Sequence, residues 1–412
     1  MTNRTSAATV TILAAVLGML GGGAGCGGDD SQTRQPLGED LLQRAYIVSW
    51  ESDELTVIDL RDLSVIGRVA TLGKANHMAE LNADFSKAYV SSPDTNEVIV
   101  VDVRTMQVMN RIGMEPGTFQ VRKRLATAAH PTHMTLSPDG KLLAVMAEQG
   151  DAVVFIDPAT DEIVKTVGGF YTPHFLRYTK DGRSAYVANL GAHQISRIDM
   201  QTLTIDEQIP LDGMAPGTLA PDEGGFADAQ IGHDGVVYAA DRGTGRVITY
   251  DTVARKKLPE LNAGVHPWIV YAEHPFANVP LQLVPNWGDN TVTMLDGRVS
   301  SAKTVEDAGD SDSNGVNYSS LVPSKAFVMN RLREDIAVVD TSVGRVAARI
   351  PVGGNTETAA TTPDGRWVVA TVSSAAAVVV IDAETNGIVK RFEGVGIYPW
   401  SVTIPNGQNY CH

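Results

Sequence analysis

Val98-Ile99-Val100-Val101-Asp102 is an unbroken apolar run, mostly β-branched, closed by an aspartate, and the same pattern returns along the whole chain. It appears upstream as Leu55-Thr56-Val57-Ile58-Asp59 and downstream as Val153-Val154-Phe155-Ile156-Asp157 and Ile195-Ser196-Arg197-Ile198-Asp199. The second half repeats it as Val247-Ile248-Thr249-Tyr250-Asp251, Val292-Thr293-Met294-Leu295-Asp296, Ile336-Ala337-Val338-Val339-Asp340 and Val378-Val379-Val380-Ile381-Asp382. Successive aspartates lie 43, 55, 42, 52, 45, 44 and 42 residues apart. A repeat near 40 residues is the size of one propeller blade.

Each unit keeps one internal order. A turn such as Ser137-Pro138-Asp139-Gly140 or Thr362-Pro363-Asp364-Gly365 leads into an apolar strand such as Ala185-Tyr186-Val187-Ala188-Asn189. Proline presets φ in such a turn and glycine accepts a positive φ. A polar loop, the strand ending in aspartate, a second turn and a last strand follow. Four short strands cannot bury both faces of their sheet alone, so the units stack radially and close into a ring. The expected fold is all-β: an eight-bladed β-propeller of four-stranded blades. Seven blades is the alternative count, because the unit from His266 to Asp296 lacks a Pro-Asp-Gly turn. The first unit starts at Arg44-Ala45-Tyr46-Ile47-Val48, a second strand, and lacks an innermost one. Pro399-Trp400-Ser401-Val402-Thr403-Ile404 supplies the missing strand, so the C-terminal segment is expected to complete the N-terminal blade and remove exposed sheet edges.

The net charge of −15 excludes a nucleic-acid surface, which needs a basic patch. Before the repeats, Arg4 precedes an apolar run from Ala7 to Leu20 and then a stretch of small residues, the pattern of a secretory signal over residues 1–25. Ala24-Gly25-Cys26 resembles the end of a bacterial lipobox, whose cysteine is lipidated before the upstream peptide is removed; Gly23 stands where that motif usually has leucine. The resemblance implies an exported protein, periplasmic or at the cell surface, held to a membrane through Cys26. Residues 26–43 read as a flexible polar tether and residues 44–412 as one propeller domain. With only Cys26 and Cys411 in the chain, no disulfide framework is available.

The units resemble the YVTN β-propeller repeats of bacterial surface proteins, with Tyr186-Val187-Ala188-Asn189 the nearest string. A narrower likeness, through blade count, export and histidine placement, is to the haem d1 domain of cytochrome cd1 nitrite reductases and to haem d1-biosynthesis propellers. That likeness implies a noncovalent cofactor over the central channel.

On a propeller frame, the loop before each innermost strand and the loop between second and third strands share one rim. His77, His133, His174 and His266 map to the first kind of position, with His130 beside His133, and His193 maps to the second. Neutral imidazole suits a transition metal or a haem iron, while rim histidines also commonly bond loop carbonyls. Arg242, Arg331 and Arg333 lie in second-to-third strand loops, where guanidinium forks would hold carboxylates of a cofactor or an organic acid, or pair with Glu334 and Asp335. Asp310-Ser311-Asp312-Ser313-Asn314-Gly315 opens like a D-x-D-x-N-G calcium loop through Asp310, Asp312 and Asn314, but Leu321 stands at the twelfth position where glutamate is required. Cys411-His412 would make a soft metal-binding tip.

No G-x-S-x-G, H-E-x-x-H, P-loop or C-x-x-C-H string is present. Three functions stay open: an envelope protein binding a ligand, cofactor, envelope protein or redox partner at its rim; a haem d1-type or metal-binding redox or cofactor-assembly protein; and a metal-dependent hydrolase of the lactonase kind.

Overall fold

The computed structural model describes residues 39–114, 129–271, 281–296 and 301–410, together with the short strands Gln120–Val121 and Arg124–Leu125. Eight antiparallel sheets follow one another as blades around a central channel. Blade one joins Arg44–Ser49, Glu54–Asp59 and Ser64–Ala70 to the C-terminal strand Pro399–Thr403, in the register Tyr46 to Thr403, Ile47 to Val402 and Val48 to Ser401. The ring closes as the sequence predicts.

Burial explains why the repeated strand does not alternate polar and apolar residues. Ala377–Asp382 and Ala152–Asp157 are buried at nearly every position, because a neighbouring blade covers each face. Fourth strands such as Ser64–Ala70 and Gly387–Glu393 lie at the outer wall and are largely exposed. Valines on facing blades interlock: Val98 and Val100 of blade two pack with Val145 and Val154 of blade three. Each fully buried side chain of this size contributes roughly 1.5–3 kcal/mol. Threonines tie adjacent innermost strands together. Thr135 Oγ1 donates to Leu176 O (3.0 Å), Thr358 Oγ1 to Trp400 O (3.0 Å) and Thr403 Oγ1 to Ala79 O (2.7 Å).

The recurring aspartate is an architectural residue. Asp102 Oδ1 accepts from the N–H groups of Arg104 (2.8 Å) and Thr105 (2.7 Å), and Asp382 Oδ1 does the same for Glu384 (3.1 Å) and Thr385 (2.8 Å). Asp157, Asp199, Asp251 and Asp340 repeat the contact. A carboxylate that caps its own turn folds the chain back into the fourth strand.

Blade six shows why its unit lacks the usual turn. Leu281–Asn286, Thr291–Asp296 and Ser301–Val305 form three strands, and Pro267–Tyr271 takes the innermost place through two bridges, Pro267 to Asn286 and Tyr271 to Leu283. The extra inner residue and the leading proline also occur in blades three and four, so the feature particular to this ladder is Pro285 on the second strand, which lacks an N–H donor. The blade count is eight; the seven-blade alternative falls.

Residues 39–42, assigned to the tether by composition, instead form a helical turn. Leu41 is buried against blade one and Asp40 pairs with Arg44 at 3.2 Å. At the other end of the fold, Gln408–Asn409 adds a fifth strand on the channel side of blade eight, pairing with Thr361 and Ala360. Gln408 also accepts from Tyr318 N (2.7 Å), and Tyr410 meets the Tyr271 ring edge-on at 5.2 Å. The C-terminal segment thus crosses from blade one past blades eight and seven to blade six.

Candidate functional site

Two sets of residues converge on one mouth of the channel. The upper ends of innermost strands bring His77, His133, His174, Trp268, Glu357 and Trp400. The loops between second and third strands bring Trp50, Glu148, Arg242, Trp287 and Arg331. His77 contacts His133 with ring centroids 4.5 Å apart, and His133 contacts His174 at 4.2 Å. Trp50 and Trp400 flank His77 at 5.7 and 5.6 Å. Beyond His174 the row continues through Trp268 (6.0 Å) to Trp287 (4.4 Å, stacked) and His266 (6.0 Å, stacked). The sequence-predicted His77, His133, His174 and His266 therefore share one aromatic arc.

Within that arc, His133, His174 and Glu148 form a ligand set, their donor atoms all within 4.8 Å of one another. Among the described residues this is the one such cluster of three. Glu148 Oε1 lies 3.8 Å from His133 Nδ1 and 3.9 Å from His174 Nε2. Thr132 Oγ1 donates to the same carboxylate oxygen at 2.7 Å and fixes its direction. His174 Nδ1 is 2.8 Å from Ala227 O. A carbonyl only accepts, so Nδ1 carries the proton and the Nε2 lone pair faces Glu148. Burial, then the neighbouring His133, pushes His174 down to about 4 against the partial pull of Glu148. It is therefore neutral, the ligating form, at ordinary pH.

The set fits a transition metal. Bonds of about 2.0–2.2 Å allow ligand atoms on one ion to stand up to about 4 Å apart; the two histidine-to-Glu148 separations of 3.8 and 3.9 Å meet this, and the whole set lies within 4.8 Å. Two imidazoles and one carboxylate suit zinc or ferrous iron with open positions for a further ligand.

The other predicted residues divide. His193 Nδ1 bonds Asp241 Oδ2 at 2.7 Å, and Asp241 also receives Gly225 N, so this pair braces the loop. His130 bonds through its backbone, N to Asn96 Oδ1, and its φ is 54°. Arg242 lies over Trp268, 4.8 Å from the ring centroid, beside the arc. Arg331 is neutralised by Asp312 (3.0 Å) and buried Glu357 (3.1 Å), with Tyr398 as a further partner. Arg333 pairs with Asp307 at 2.5 Å and leaves the ligand set.

The calcium reading fails on geometry. Asp310 Oδ2 accepts from Leu332 N (2.7 Å) and Arg333 N (2.9 Å), and Oδ1 accepts from Asp312 N (2.8 Å). Asp312 is held by Arg331, and Asn314 lies in the innermost strand Ser313–Tyr318 with Nδ2 toward Glu357 (3.4 Å). With Asp310 and Asp312 engaged by donors and Asn314 set along a strand, the three side chains do not converge on a cation. Cys26, Cys411 and His412 lie outside the described residues.

Sequence reasoning missed Glu148, Glu357, Tyr398 and the tryptophans. The signal was available: placed on the same frame as the histidines, four of the five tryptophans, Trp50, Trp268, Trp287 and Trp400, fall on the histidine rim.

A family model described as a YNCE-like beta-propeller matches residues 111–188. No curated protein matches the chain. Many solved structures are similar in fold, among them the following three. The dihydro-haem d1 dehydrogenase NirN in complex with DHE shares 16% identity over 90% of this chain and 78% of its own, with TM-score 0.69. Apo AztD from Citrobacter koseri shares 11% over 87% and 96%, with TM-score 0.59. Kuenenia stuttgartiensis hydrazine synthase shares 17% over 74% and 95%, with TM-score 0.54. At these identities the likeness is one of architecture: the chain is an eight-bladed β-propeller with YNCE-like sequence in its second to fourth blades.

Proposed function

We propose that the protein is an exported, lipid-anchored binding protein of the cell envelope that holds a transition-metal ion at one mouth of its propeller. The observation that carries this reading is the meeting of His133, His174 and Glu148, with His174 oriented by Ala227 O and Glu148 by Thr132. The metal would supply Lewis acidity and an open coordination position; the protein supplies two neutral imidazoles, one carboxylate and the tryptophan walls.

Titration of the chelator-treated protein with Co²⁺ tests it. One equivalent should develop visible ligand-field absorption, and His174→Ala or Glu148→Gln should weaken binding by tenfold or more. Featureless spectra together with substoichiometric metal after dialysis would overturn the reading.

The fold likeness to a haem d1 dehydrogenase supports a second reading, in which a d1-type haem lies against the tryptophan walls with a rim histidine as iron ligand. Protein from its native envelope would then carry a haem-like absorption spectrum, whereas the first reading gives a colourless protein containing metal.

A further inference from the structure

We propose that the opposite end of the channel is a second ligand site, which takes an organic ammonium ion against Glu80. A cavity of about 340 Å³ opens there, lined among others by Glu80, Leu81, Leu136, Thr403, Asn406 and Asn409. Its walls are the lower ends of blades one to three, and its floor is the C-terminal segment after the closing strand.

Glu80 is half-buried on the innermost strand of blade two, three residues below His77. Its carboxylate accepts one long hydrogen bond, from Leu136 N at 3.4 Å, and has no ion pair among the described residues. The cation that reaches it electrostatically is Arg177, which is committed elsewhere. Arg177 clamps Asp228 through Nε (3.1 Å) and Nη2 (2.6 Å), and its guanidinium lies 3.9 Å over Phe175. Gln230 donates to the same Asp228 at 2.6 Å, so that pair is complete without Glu80.

A half-buried carboxylate without a counter-charge favours its neutral form or a cation. Burial accordingly pushes Glu80 up to about 7, against a pull from Leu136 N–H and Arg177. The other groups at this end are Tyr178, Tyr410, Asp228 and the turn carboxylates Asp84 and Asp139, which are engaged by Ser86 and Ser137; burial holds both tyrosines neutral at ordinary pH.

The lining selects the kind of cation. A metal needs several converging oxygen or nitrogen ligands, and Glu80 is the one charged group on these walls. Leu136 and Phe85 add a partly exposed apolar strip, and Asn82, Ser137, Thr403, Asn406 and Asn409 add hydrogen-bonding groups. One carboxylate among hydrogen-bonding side chains, beside the apolar strip of Phe85 and Leu136, matches a small organic amine, and the volume suits a small molecule. The site stands apart from the histidine mouth and does not depend on the metal reading.

Calorimetric titration with benzylammonium at pH 8 tests the proposal on the whole chain. Saturable one-to-one binding is expected, at least tenfold weaker for Glu80→Gln and unchanged for His174→Ala. Glutamine is isosteric with the protonated carboxyl, so the variant keeps the wild-type circular dichroism. Benzyl alcohol, which lacks the charge, should bind at least tenfold more weakly than the amine. Affinity for the amine should fall as pH drops from 8 to 6, because Glu80 then takes up a proton. Absence of saturable heat with the wild type, equal affinity in Glu80→Gln, or equal affinity for benzyl alcohol would each overturn the proposal.

Discussion

His174 carries the sharpest pH signature at the scale of single residues. In the folded chain its proton affinity is set near 4, against an ordinary 6.5. Between these values the unfolded chain binds a proton that the folded chain refuses, so stability falls as pH drops through that window. The full difference is about 3 kcal/mol as an upper figure. Urea unfolding of metal-free protein should show a midpoint that declines from pH 7 to pH 4.5, and a clearly shallower decline in His174→Gln; parallel declines would refute the assignment. The histidines of this site were legible in the sequence because they are few and recur at matching places in the repeat. Glu148 was not, because carboxylates are common in loops and only the fold shows which one turns inward. Arg333 shows the reverse: its loop is on the right rim, but its side chain makes a surface ion pair, with Asp307 in place of the neighbouring Glu334 or Asp335.

At the scale of strands, the blade pattern was legible because each repeated string answers two physical demands at once. Burial on both faces requires uninterrupted apolar residues, and the closing hairpin requires a carboxylate that caps its own turn. Blade six was obscured because Pro285 on its second strand interrupts the inner ladder, so the strand exists in place but not in pattern. The C-terminal residues divide into two strands with different duties. Pro399–Thr403 completes blade one, whereas Gln408–Asn409 lies inside the channel on blade eight. Two truncations should therefore behave differently. A chain ending at Gly396 leaves the inner edge of blade one unpaired and should lose its cooperative thermal transition. A chain ending at Ile404 keeps the closing strand and should melt cooperatively, with a lower midpoint. Identical melting of both chains would refute this division.

For the whole molecule, strand direction separates the two ends of the channel. Arg44–Ser49 runs from the lower face toward Trp50 at the histidine mouth, so the chain enters its ring on the face away from that mouth. Leu41 and the Asp40–Arg44 pair fix the point of arrival. A lipid on Cys26, as proposed, is remote in sequence from every residue of the tryptophan and histidine arc. Attachment and metal binding should then be separable. Cys26→Ser should move the protein from the membrane to the soluble fraction of fractionated cells and leave its Co²⁺ affinity within twofold of wild type. His174→Ala should do the opposite, staying with the membrane while losing the metal. Retention of Cys26→Ser in the membrane would refute the anchor, and a tenfold loss of Co²⁺ affinity on release would show that the anchor and the mouth are coupled.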